Sequence, residues 1–176
     1  RQGRPLLSGL LLAATLAAAW QELSAPAASY QTGIGERREI ALADGSRLQL
    51  NTATRLRTRV TWLRREIELE QGEALFDVAH ERWRPFRVHA GKVHISDIGT
   101  RFNVRHQDSG GTSVSVLEGE VELRVGRSWL GEVLSAGFRR RLDAEGAGIH
   151  RKKSTPSRCW PGPAASWCST TRRWPT

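Results

Sequence analysis

Residues 39–50 run Glu39-Ile40-Ala41-Leu42-Ala43-Asp44-Gly45-Ser46-Arg47-Leu48-Gln49-Leu50. Apolar and polar side chains alternate on both sides of Asp44-Gly45, the period of a strand with one buried and one wet face. An Asp-Gly pair accepts the positive φ that a tight turn demands, so these twelve residues predict a β-hairpin.

The same grammar continues outward. Further strands are predicted at 57–62, 65–70, 73–78, 86–89, 92–95, 100–105, 113–117, 120–125, 133–136 and 138–142, each bounded by turn residues. Around Glu118-Gly119-Glu120, Val114, Val116, Val121, Leu123 and Val125 alternate with Ser115, Glu120, Glu122 and Arg124. No window between residues 31 and 150 holds a helical period over three turns. The expected fold is all-β: a single domain of short antiparallel strands, a sandwich or a solenoid-like stack, preceded by one transmembrane helix.

That helix rests on Pro5 to Gln21, 17 uncharged residues that are apolar all round. This is close to the shortest helix that crosses a hydrocarbon core of about 30 Å. Arg1 and Arg4 precede it and Glu22 follows, so the positive-inside bias sets the N-terminus in the cytoplasm. Ala17-Ala18-Ala19 and Ala25-Pro26-Ala27 also resemble cleavage sites, which keeps a removed signal peptide as the alternative. The resulting division is 1–4 as a cytoplasmic remnant, 5–22 as the span, 23–31 as a linker, 32–144 as the β domain and 145–176 as a tail.

Charge and cysteines separate the tail from the rest. Of the formal +9, residues 151–176 carry +6 and residues 1–29 carry +1, leaving +2 for the β domain. A basic sum of that distribution gives no reason to expect a nucleic-acid partner. Cys159 and Cys168 both lie in the tail, so the domain itself has no thiol. The chain of 176 residues contains no Met and reads as a piece of a longer protein.

Five blocks, taken together, resemble the FecR family of iron-responsive anti-sigma regulators. They are Ile40–Ser46 with Leu48, Leu50 and Asn51; Leu69–Ala79; Arg84-Pro85-Phe86-Arg87-Val88; Ile98–Val104; and Val116–Val121. The likeness covers Thr32 to Leu142. It implies a single-pass protein of the bacterial inner membrane with its soluble domain in the periplasm. The implied partners are the signalling domain of an outer-membrane TonB-dependent transporter and, through a preceding cytoplasmic segment, an extracytoplasmic-function sigma factor. No cofactor is implied. Family members continue into a small α/β module after the β domain, whereas residues 145–176 carry no period of either kind. A shifted reading frame of Trp167–Thr176 gives a sequence similar to the family's continuation, so this tail is expected to be frameshifted and unstructured.

The motif residues have structural readings. Gly72, Gly99 and Gly119 fit turns or bulges; Gly45 serves the hairpin; Phe76, Phe86 and Phe102 fit the core. Asp44 and Asn51 are suited to bonding local amides, and Ser46, Pro85 and Thr100 belong to the same motifs. His80, His89, His94, His106 and His150 lack the spacing of a metal shell. Asp77, Glu81, Asp97 and Asp108 are not paired as a hydrolase would need. Arg37-Arg38, Arg64-Arg65 and Arg82/Arg84 read as solvated charges at strand ends. The sequence thus favours a regulator that is not an enzyme. The competing reading is a β domain binding cell-wall or other polysaccharide through Trp62, Trp83 and Trp129.

Overall fold

The computed structural model describes residues 13–17, 20, 27–126, 128 and 130–153. Among them the chain forms thirteen strands: β1 (Ala28–Gln31), β2 (Arg38–Ala41), β3 (Arg47–Leu50), β4 (Arg55–Val60), β5 (Arg65–Asp77), β6 (Phe86–Ala90), β7 (Val93–Asp97), β8 (Arg101–His106), β9 (Thr112–Glu118), β10 (Glu120–Val125), β11 (Glu132–Ser135), β12 (Phe138–Leu142) and β13 (Gly148–Lys153). All join one sheet.

The sheet has two halves that share β5. One half runs β1-β4-β5-β6-β7-β10-β11 and uses residues 65–71 of β5. The other runs β2-β3-β5-β8-β9-β12-β13 and uses residues 72–77. Hairpins within a half alternate along the chain with crossings between halves. The sheet therefore coils on itself into a near-barrel around one core.

Phe76 on β5 lies at the centre of that core. Its ring stacks on Phe102 at 5.1 Å and meets the edge of Phe86 at 6.1 Å. All three are fully buried, and they tie both halves together, since Phe86 belongs to one and Phe102 to the other. Such ring pairs add about 0.5–1.5 kcal/mol each beyond the area they bury.

The structure modifies the expected stack in several ways. Segments 65–70 and 73–78 are one strand of 13 residues, not two. Gly72 makes this possible: at φ 95° it lets the strand bend, next to a bulge where β4 slips by one residue. The β5–β6 pair is parallel, because the loop 78–85 carries the chain back to the start of β5 before β6 begins. β1 lies within the expected linker, and β13 begins inside the expected unstructured tail. Both are outer strands held by main-chain bonds to one neighbour, a pairing that needs little apolar pattern and so leaves a faint sequence signal.

Helical residues among those described are 13–17 and 20, and no helix of the described residues is long and apolar enough to cross a membrane. The expected span at 5–22 falls mostly outside the described residues. The expected cytoplasmic remnant, Trp129 and residues 154–176 lie outside them entirely.

The bend at Gly72 gives a test. A Cβ there would sit 2.5 Å from Thr54 Cα and 2.8 Å from the Ala53 carbonyl oxygen, whereas one at Gly137, also at positive φ, would meet open space. Gly137→Ala is expected to cost about 1 kcal/mol from φ alone, and Gly72→Ala about 3 kcal/mol or more. Urea unfolding followed by circular dichroism measures the difference.

Candidate functional site

Arg65 opens β5 in phase with Ile67 and Leu69, so the period of two turns its side chain inward. It is fully buried. A guanidinium carries five N–H donors and must find acceptors for them when removed from water. Nε donates to the Arg84 carbonyl at 2.7 Å, Nη1 to the Ala79 carbonyl at 3.0 Å and to Asp44 Oδ2 at 3.2 Å, and Nη2 to the Glu81 carbonyl at 3.4 Å. Glu81 Oε2 lies 3.4 Å from Nη1, and the Phe86 ring sits 5.6 Å below the guanidinium carbon.

Asp44 is the matching anion, its side chain fully covered. Its carboxylate also accepts from the Ser46 amide at 3.1 Å and the Ser46 hydroxyl at 2.8 Å, and Ser46 Oγ accepts in turn from the Ala79 amide at 3.0 Å. The hairpin Asp44-Gly45-Ser46 is thereby clamped to the loop that follows β5. Glu81 extends the network to Arg84, which donates to Glu81 Oε2 at 3.0 and 3.2 Å and to the carbonyls of Thr61 and Trp62. Pro85 follows directly and leads into Phe86 at the start of β6.

Asn51, Gly72 and Glu73 form a second cluster where the chain crosses between halves. Glu73 accepts from Asn51 Nδ2 at 3.1 Å and from Asn103 Nδ2 at 2.7 Å. Asn51 Oδ1 takes Arg37 Nε at 3.3 Å. A third cluster gathers Gly99, Thr100 and Gly119. Asp97, buried, accepts from the amides of Gly99 and Thr100 at 3.1 Å. Gly99 lies against His80, and a Cβ at Gly119 would fall 2.4 Å from the Thr100 methyl.

Arg65 and Arg84 are not the solvated strand-end charges expected from the sequence: Arg65 is buried in the core and Arg84 braces the turn before it. The reading of Asn51 also changes, since its side chain bonds a carboxylate and a guanidinium, not a local amide. Arg65, Glu73, Glu81, Arg84 and Asn103 are the polar members missed from the sequence. For Arg65 the signal existed in its phase with Ile67 and Leu69.

Histidines meet in one place. His89 and His94 face each other across β6 and β7, with their Nδ1 atoms 2.6 Å apart. One ring donates to the other, so at least one is neutral. Burial lowers the His94 pKa below its ordinary value, and the neighbouring His89 charge adds to this. His106 is lowered by burial too, against an opposing pull from Asp108. Its Nδ1 lies 2.9 Å from Thr112 Oγ1, a buried hydroxyl also turned to the Ala90 carbonyl, so the pair closes a hairpin. Among the described residues no group of three or more His, Cys, Asp or Glu side chains could hold a metal ion.

The family model described as FecR protein matches residues 28–122, the segment that contains all three clusters. The chain belongs to the FecR family. Two crystal structures described as a "putative anti-sigma factor" from Parabacteroides distasonis ATCC 8503 are similar to this FecR-family chain. One superposes with a TM-score of 0.66 at 26% identity over 73% of this chain, the other with 0.65 at 27% over 72%. The chain spans 61% and 60% of their respective lengths. No curated protein matches the sequence.

Two outcomes are expected. Asp44→Ala leaves the buried guanidinium with Glu81 as its remaining carboxylate and should cost about 3 kcal/mol. Glu122→Ala removes an exposed pair with Arg124 and should cost below about 1 kcal/mol; urea midpoints compare the two. The lowered His94 and His106 values mean that the unfolded chain, near 6.5, binds protons that the folded one refuses. Stability is therefore fully present above about pH 6.5 and declines as pH falls below it. Midpoints at pH 8.0, 6.5 and 5.5 should show this decline, and His94→Gln with His106→Gln should flatten it.

Proposed function

We propose that this chain is the β domain of a membrane-anchored anti-sigma regulator that relays the state of an outer-membrane iron-siderophore transporter to a cytoplasmic extracytoplasmic-function sigma factor. Residues 5–22 serve as the inner-membrane span and the β domain stands in the periplasm. The observation that carries the reading is the FecR match over residues 28–122. The likeness to structures described as anti-sigma factors supports it from a second direction.

A relay of this kind needs no chemistry at the domain. It needs a rigid body whose affinity for a partner differs between two states, so that binding outside the membrane shifts a population inside it. The polar clusters suit that task. Their bonds tie hairpins and loops of the two halves to one another, leaving the surface for contacts. The regulator acts by binding, and its partners are a sigma factor and a transporter's signalling domain.

The test is transcriptional. Deleting the gene should change output from promoters served by an extracytoplasmic-function sigma factor of the same cell, and restoring the intact gene should return the response to the transporter's ligand. Unchanged output with and without the gene, whatever ligand is supplied, overturns the assignment.

A further inference from the structure

Trp62 and Leu63 form the tip of the turn between β4 and β5, and Trp83 stands in the neighbouring loop. They are 75%, 62% and 62% exposed. Arg84 holds the two segments together: it donates to the Trp62 carbonyl at 3.2 Å, and its guanidinium lies 4.9 Å over the Trp83 ring. The Trp62 backbone and the Trp83 ring are thus tied through Arg84 to the Arg65 network. Arg64 and Arg82, both exposed, flank them. The nearest carboxylate in this loop, Glu81, is engaged by Arg65 and Arg84. The surface left outward is apolar, aromatic and cationic.

The register of β1 says what this surface faces. Ala28 pairs with Thr58 in antiparallel sense, so the chain before Ala28 leaves the sheet toward the end where β4 runs into the Trp62 turn. Glu22 and Ala28 are six residues apart, a tether of at most about 21 Å when fully extended. From Thr58 to Val60 the strand already advances about 7 Å in that direction, before the turn and the indole add their own length.

We propose that Trp62, Leu63 and Trp83, with Arg64 and Arg82, form a membrane-docking rim that seats the domain on the anionic lipid surface from which its tether emerges. The proposal rests on residues 5–22 being an inserted span. Indole rings settle at the level of lipid headgroups, where an apolar body and a polar N–H are both satisfied, and arginines beside them meet phosphate. Without β1 the linker would be nearly twice as long and the rim would have no fixed relation to the bilayer. With it, the rim and the tether leave the domain at the same end.

The full chain reconstituted in vesicles of phosphatidylethanolamine and phosphatidylglycerol, with benzoylphenylalanine at position 62, 83 or 109, provides the test. Ser109 sits on the hairpin after β8, beside the bend of β5 at Gly72 and so away from the β4–β5 turn. Lipid adducts are expected at 62 and 83 at least tenfold above those at 109. Arg64→Glu with Arg82→Glu should lower them several-fold without changing the melting temperature. Equal labelling at all three positions, in chain that resists carbonate extraction, overturns the docking and spares the span. Chain released by carbonate overturns the span, and the docking with it. Adducts that move to added peptidoglycan fragments instead of lipid make the rim a glycan surface and also overturn the proposal.

Discussion

A single charged side chain in the core governs how the sheet closes. Arg65 belongs to the first residue of a long strand, yet it bonds the loop that leaves the other end of that strand and the hairpin of an adjacent pair. Desolvating a guanidinium is unfavourable unless nearly every donor is met. Here that requirement selects one arrangement: β5 must bend enough to bring Ala79 and Glu81 to its own beginning, and Asp44 must be turned inward. The bend is in turn permitted by Gly72, whose φ no ordinary residue adopts easily. Fold specificity and the polar cluster are two aspects of the same constraint.

The phenylalanines supply the favourable energy that the cluster does not. Phe86 lies beneath Arg65 and meets the edge of Phe76, which stacks on Phe102, so Phe86 touches both the ring cluster and the guanidinium. Apolar contact draws the halves together without much preference for angle, and the directional bonds above it fix the angle. That division of labour explains why Asp44, Arg65 and Phe86, of such different chemistry, meet at one place.

Much of this was legible in the sequence. The hairpin at Asp44-Gly45, the alternation through Val114–Val125 and the apolar character of the three phenylalanines report local period and burial, which a linear text contains. The continuity of β5 was not legible, because a glycine between two alternating runs reads equally as a turn or as a bend, and only the partner strand decides. β1 and β13 were missed since outer strands are held by main-chain groups common to all residues. Arg65 was missed for the opposite reason. Its phase with Ile67 and Leu69 was visible, but an inward arginine is acceptable only where Asp44 and three carbonyls converge, and that convergence exists only in three dimensions.

The alternation of hairpins with crossings has a consequence for how the domain comes into being. No strand waits for a distant partner: the widest pairing joins Gly72 to His106, and most strands meet either the one just made or one made shortly before. Loop-closure entropy stays small at each step. A polypeptide delivered N-terminus first can therefore wind up in order, each turn templated by its predecessors, with a growing edge in each half of the sheet open to wrong company until the next hairpin covers it.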